Sequence, residues 1–344
     1  MCRRAGDAGP DDAARDQQGD LRRMSRFSFS LKDAASPPAA VEISAHRVSA
    51  ALVENRGGRP VVAAHATESL PAEMVVPSLT GSNIRDLTGV TAALRRTLER
   101  IGRPRRVALV LPDAVAKVSL VRFEHVPARA SDMDQLVRWQ VRKAAPFPVD
   151  EAQVSYVAGG RDGEAHEFIV SVARRVIIEE YESVCAGAGA HAGVVDVSTF
   201  NVINAVLAGA GSSVTDWLLV NVASDWASIA ILRGADLLFF RSRGADGDDT
   251  LADLVHQTAM YYEDRLAGAG FARVMLCGAS NLDALEPSHM SELVGSLESR
   301  LGMAVEMVDP TRAAGLIDRI TAGPALLDAL APLVGVLVRD REAA

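Results

Sequence analysis

Lysine is all but missing from this sequence. Lys32, Lys117 and Lys143 stand alone, so 33 of the 36 basic residues are arginine. Beside abundant alanine and glycine, that bias reads as the imprint of a GC-rich genome and warns against taking each arginine as a phosphate or carboxylate fork. Aromatic residues make up only 5%, so the core must be built from Val, Leu, Ile and Ala. Cys2, Cys185 and Cys277 are odd in number and far apart; they form no C-x-x-C pair and no disulfide framework, as suits a reducing compartment. No apolar run reaches the ~18 residues that a spanning helix needs. Asp7, Asp11, Asp12, Asp16 and Asp20 interrupt the place where a signal peptide would carry its apolar centre. These absences point to a cytoplasmic protein. A net charge of −8 argues against nucleic acid or an anionic membrane as a broad partner.

What is present is a repeated order of elements. Residues 1–37 are polar, charged and punctuated by Pro and Ala, the composition of a disordered tail, although Phe27-Ser28-Phe29-Ser30-Leu31 alternates like a short strand able to pair or dock. From residue 38 the pattern predicts strands at Val41–Ile43, Val48–Val53 and Val61–Ala64, turning at Ala45-His46 and at Gly57-Gly58. A helix over Val90–Ile101, stopped by Gly102, and a doubly buried strand at Val107–Leu111 follow. The second half repeats the order with strands at Trp217–Val222, Ala227–Leu232 and Asp236–Phe240, a helix over Leu251–Leu266, and a buried strand at Val274–Leu276. Strand, strand, strand, helix, strand occurring twice predicts a duplicated α/β lobe. Between the copies, about 126–190, a helix capped by Ser131 with Asp134 precedes Ala145-Pro146-Phe147-Pro148. Two strands and a helix over Val176–Cys185 complete what reads as a small inserted α+β subdomain. The expected division is a tail at 1–37, a first lobe at 38–212 and a second at 213–340.

Several stretches in this order resemble one family. Trp139-Gln140 through Ala145-Pro146-Phe147-Pro148-Val149-Asp150-Glu151 is similar to its helix, Pro-Phe turn and acidic residues. Gln257–Tyr262 followed by Val274–Gly278 resembles its helix leading to an adenosine loop. Leu301–Val305 with Asp309-Pro310, and Ala331–Arg339, resemble its closing segments. The family is the PilM-type proteins of type IV pilus assembly, with the GspL-type cytoplasmic domains of type II secretion behind them. The resemblance implies a two-lobed actin-like fold of the actin/Hsp70 ATPase type, with the inserted subdomain in the first lobe. It also implies a groove near that subdomain that takes the cytoplasmic peptide of a bitopic PilN-type inner-membrane protein, which would hold the chain peripherally at the inner membrane. Trp139, Phe147 and Phe123 are expected near that groove, and self-association into a homo-oligomer is an open expectation.

Actin-like ATPases hold phosphate on two hairpin turns carrying Asp-x-Gly. Glycine lets backbone amides approach the phosphate, and the aspartate holds Mg²⁺ or its waters. Here the first turn reads Glu42-Ile43-Ser44-Ala45-His46, so Glu42 stands for the aspartate and Ser44 for the glycine. The second reads Asn221-Val222-Ala223-Ser224-Asp225, with Asn221 uncharged and Ala223 carrying a methyl. Gly278 keeps the first residue of the adenosine loop, but Ala279 stands where a second glycine belongs. These departures predict no ATP hydrolysis and a chain that is not an enzyme. The competing expectation is an actin-like ATPase binding Mg·ATP through Glu42, Ser44 and Ser224, with Asp225 replacing the aspartate by a shift of one residue. No G-x-x-x-x-G-K-[ST] loop or G-x-S-x-G elbow occurs, and the seven histidines show no metal-ligand spacing. Asp246-Gly247-Asp248-Asp249 reads as the acidic start of a helix.

Overall fold

The computed structural model describes residues 37–162, 165–210, 214–244, 250–281, 287–317 and 320–339. The expected tail up to Ser36 and the Asp246–Asp249 run lie outside them. In the first lobe, β1 (Ala39–Ile43), β2 (Arg47–Arg56) and β3 (Arg59–Ser69) form a meander, followed by α1 (Leu87–Arg100) and β4 (Arg106–Leu111). Gly57 and Gly58 both take positive φ in the β2–β3 turn, the backbone that glycine adopts without a Cβ penalty. The α1 helix begins earlier than the apolar spacing predicts, because the Asp86 carboxylate accepts from the Gly89 amide at 2.9 Å and caps its first turn.

A three-stranded antiparallel sheet interrupts the lobe: β5 (Ala116–Phe123), β6 (Ala152–Asp162) and β7 (Ala165–Arg174), ordered β5-β7-β6. It carries α2 (Ala130–Val141). The inserted unit therefore starts ten residues ahead of 126, since Pro112 ends β4 and the alternating run from Ala116 belongs to the new sheet. Ser131 is not its helix cap; the helix starts at Ala130 without a side-chain cap. The next helix, α3 (Arg175–Gly187), was expected inside the insertion. Instead it buries Ile177, Tyr181, Val184 and Cys185 against the first-lobe sheet. β8 (His191–Val197) then closes that sheet, whose order is β14-β3-β2-β1-β4-β8, with β14 the short strand Gly315–Leu316.

After α4 (Ser198–Gly209) the second lobe repeats the plan. It contains β9 (Asp216–Val222), β10 (Trp226–Arg233), β11 (Asp236–Gly244), α5 (Leu251–Leu266), β12 (Arg273–Cys277), α6 (Pro287–Leu301) and β13 (Val305–Met307). Its sheet order, β11-β10-β9-β12-β13, matches β3-β2-β1-β4-β8 strand for strand. The central strands are apolar on both faces because both are covered. In β4, Val107, Leu109 and Leu111 pack under α1 and α3, while Ala108 and Val110 meet the last helix, α7 (Pro324–Val338). In β9, Leu218 and Val220 face α5, and Trp217 and Leu219 face α4.

Residues from Pro310 onward, read from sequence as part of the second lobe, return to the first. β14 (Gly315–Leu316) pairs with β3, and α7 buries Leu330, Leu333, Val334 and Leu337 on the first-lobe sheet. Each such side chain contributes roughly 1.5–3 kcal/mol. Thus α4 and α7 pass between the lobes. Gly335 lets them touch, for a methyl there would overlap the Asn201 carbonyl.

Candidate functional site

Two hairpin turns, one from each lobe, face each other across a cleft. The β1–β2 turn closes when the Ser44 amide and hydroxyl both donate to the Arg47 carbonyl, at 3.0 and 3.1 Å. The β9–β10 turn closes when the Ala223 amide donates to the Trp226 carbonyl at 2.8 Å. Between them and the start of α7 lies a cavity of about 390 Å³. Glu42, Ser44, Asn221, Ala223, Ser224 and Gly278 all line it, as do His46, Arg47, Asp225 and Asp328. The fold thus brings together all the residues that the hairpin motifs singled out.

Several of these side chains are bonded within the protein. Glu42 is buried, and its carboxylate accepts from Arg47 and from the Ser198 hydroxyl, each at 3.3 Å. A cation held by the protein itself therefore stands beside the acid that would face Mg²⁺. The Ser44 hydroxyl is spent on its own turn. Asn221 turns into a buried network in which its Nδ2 donates to Thr199 Oγ1 at 2.9 Å. Thr199 binds Asp113 through both its amide and its hydroxyl, and Ser228 donates to the same carboxylate at 2.6 Å. Burial pushes the Asp113 pKa up against these donors. Among the described residues no His/Cys/Asp/Glu group is arranged to hold a metal ion.

Gly278 has φ +87°, and a methyl there would strike the Val222 carbonyl, so its freedom serves the packing of the loop onto β9. The amides of that loop already have an anion. Asp328, the acid in an otherwise apolar helix, accepts from the Ser280 amide at 2.8 Å and from the Gly278 amide. Asp225, half-buried in the cleft, is bonded by Ser224, but its Oδ2 has no hydrogen-bond partner among the described residues, and burial raises its pKa. Ser224 is exposed at the turn tip.

Sequence reasoning missed Asp113, Thr199, Arg47 and Asp328. Two of them left a trace. Asp113 follows Pro112 at the carboxyl end of a continuous apolar strand, where open α/β sheets place ligands. Asp328 interrupts the apolar run of α7. Thr199 and Arg47 carry no pattern of their own.

A second cavity, about 530 Å³, runs along the first lobe where β8 is the end strand among the described residues, between α3 and the β6–β7 face of the insertion. Val115, Ile178 and Val195 supply apolar wall, and Arg175, Glu179 and Glu182 supply charge. At its floor the buried Asp196 pairs with Arg339 at 2.9 Å. Desolvation still raises the Asp196 pKa to about 6. None of the three expected aromatic residues lines this groove. Phe123 and Phe147 are in the core of the insertion, Phe123 with its ring 5.8 Å from that of Phe168. Trp139, 69% exposed, projects from α2.

Against known proteins, a family model described as type IV pilus assembly protein PilM matches residues 40–303. Among solved structures, a PilM-PilN type IV pilus biogenesis complex is similar with a TM-score of 0.75 and 17% identity, over 90% of this chain and 100% of that one. The cytoplasmic domain of EpsL, an inner-membrane component of the type II secretion system of Vibrio cholerae, matches at 0.44 and 11%, over 69% and 80%. A protein of actin-like ATPase fold from Bacteroides thetaiotaomicron matches at 0.45 and 10%, over 84% and 93%. The duplicated two-lobed plan is the actin-like fold that the sequence predicts.

Proposed function

The chain belongs to the PilM family of type IV pilus assembly proteins, and we propose that it works there as a non-hydrolysing scaffold at the inner membrane, holding the cytoplasmic peptide of a PilN-type bitopic protein. The observation that carries this reading is the groove along β8. An end strand offers a row of backbone donors and acceptors, and an extended peptide added to it gains main-chain hydrogen bonds while its alternate side chains enter the groove. The apolar wall of Val115, Ile178 and Val195 suits such side chains.

The absence of turnover rests on the first cleft. What supports it is that Arg47 bonds Glu42 and that Asp328 bonds the amides of Gly278 and Ser280, so these groups are already partnered within the protein. A nucleotide would have to displace a buried carboxylate and lie among Glu42, Asp225 and Asp328. The cleft keeps its volume and the unpartnered Asp225 Oδ2, and these favour the second reading, an ATPase whose nucleotide state regulates assembly.

Calorimetric titration of the full chain with Mg·ATP and ADP, and with the synthetic tail peptide of the PilN-type protein from the same genome, tests both. The scaffold reading expects peptide binding that Val195→Arg abolishes and no heat from nucleotide. Nucleotide binding accompanied by phosphate release would replace it with the second reading.

A further inference from the structure

The groove along β8 lies where the chain's own N-terminal segment arrives. Pro37, the first described residue, packs over β8: its Cγ is 3.4 Å from the position that a Cβ on Gly193 would take, and Gly193 lines the groove. Residues 1–36 precede that point. They contain Phe27-Ser28-Phe29-Ser30-Leu31, apolar at every second position, with Arg22, Arg23 and Arg26 before it and Lys32 after it.

We infer that residues 27–31 lie along β8 as an added strand and fill this groove in the free protein, so that a partner peptide must displace them. Three observations on different levels agree. The first is reach. Five residues separate Leu31 from Pro37 and extend about 17 Å at roughly 3.3 Å each. That is enough to turn back along β8, whose seven residues span about 20 Å. The second is side-chain period. In an extended chain Phe27, Phe29 and Leu31 share one face, which matches a groove whose wall includes Val115, Ile178 and Val195, while the serines face water. The third is charge. Glu179 and Glu182, one helical turn apart on α3, border the groove beside a single lining arginine, Arg175, and burial raises the Glu182 pKa. The arginines and lysine flanking the apolar segment bring the complementary cations. Docking also covers the exposed edge of β8, which would otherwise pair indiscriminately.

This inference deepens the reading of the groove as a peptide site, but the two can be separated. The test compares amide hydrogen exchange across residues 191–197 in the full wild-type chain and in the full-length triple variant Phe27→Asp, Phe29→Asp, Leu31→Asp. The substitutions leave every residue of β1 to α7 unchanged, so a cooperative thermal transition should remain. Exchange in β8 should quicken by about tenfold or more as its outer amides meet water. A labelled synthetic peptide of residues 24–34 should bind the variant at least about tenfold more tightly than wild type, since a tethered segment competes at high effective concentration. Val195→Arg added to the variant should abolish that binding. Identical exchange in wild type and variant, or equal peptide binding to both, overturns the inference. If the PilN-type tail peptide fails to bind even the triple variant while β8 exchange still quickens, the partner reading falls and this one stands. If the tail binds both chains alike with β8 exchange unchanged, the reverse holds.

Discussion

At the scale of single residues, the structure depends on a few close approaches and buried charges. Gly335 is one: no side chain fits between it and the Asn201 carbonyl. Gly335→Ala should force α4 and α7 apart and cost about 3 kcal/mol or more, read as a lowered thermal transition. The Asp196–Arg339 pair is another. The folded pKa of Asp196, about 6, lies above its ordinary value of 3.8, so between those two pH values the folded state holds more protons than the unfolded one. The contribution of this group to stability is therefore fully present below the lower value, and it declines as pH rises through the upper one. Arg339→Met removes the cation and leaves the carboxylate buried. It should cost roughly 3–5 kcal/mol in neutral or alkaline solution, and markedly less near pH 4–5, where Asp196 is protonated. Denaturant melts of both chains across that range check the sign. That Glu42, Ser44, Asn221, Ala223 and Ser224 would meet was legible because hairpin turns follow strands at fixed spacing, and Gly278 because it follows a buried strand. Their bonding was not legible, because what holds Glu42 and Asn221 comes from Arg47, Ser198 and Thr199, which no local pattern links to them.

Elements are where the sequence was read most faithfully and where its boundaries slipped. Alternation and continuous apolar runs placed the meander and the buried strands of both lobes, since a strand covered on both faces has to be apolar throughout. The insertion's start was hidden because β5 follows β4 after only a proline and a short turn, whose single polar residue, Asp113, is too little to mark a new unit. α3 was assigned to that insertion for lack of any signal that its buried face, Ile177, Tyr181 and Val184, meets α1 and the first sheet rather than β7. The same helix secures the segment before α1. Glu180 accepts from the amides of Asn83 and Ile84 at 2.7 and 3.0 Å, and Asn83 accepts from the Tyr181 hydroxyl. Glu180→Ala should release two part-buried donors, cost about 1 kcal/mol, and raise hydrogen exchange over residues 76–85 selectively. Uniform exchange in that variant would mean the segment is held by other contacts.

For the whole molecule, the duplicated plan makes two lobes, but the chain does not divide into them. The first sheet owes one of its faces to α7, so a chain truncated after Asp309 should expose Ala40, Val53, Val62 and Val110 and lose the cooperative transition. Solubility and circular dichroism of that truncation check this. A chain cut there that remained soluble with a sharp melt would show that the lobe completes its core by other means. Sequence reading placed residues after Pro310 with the second lobe because they follow it, and chain order carries no information about a return across a cleft. That return has a consequence for how the protein is made. A ribosome delivers β1 through β8 long before the helix that covers their inner face, so the first lobe must wait, half-dressed, until residues 324–338 have been made. Chaperone dependence during synthesis should therefore be strongest for the first lobe.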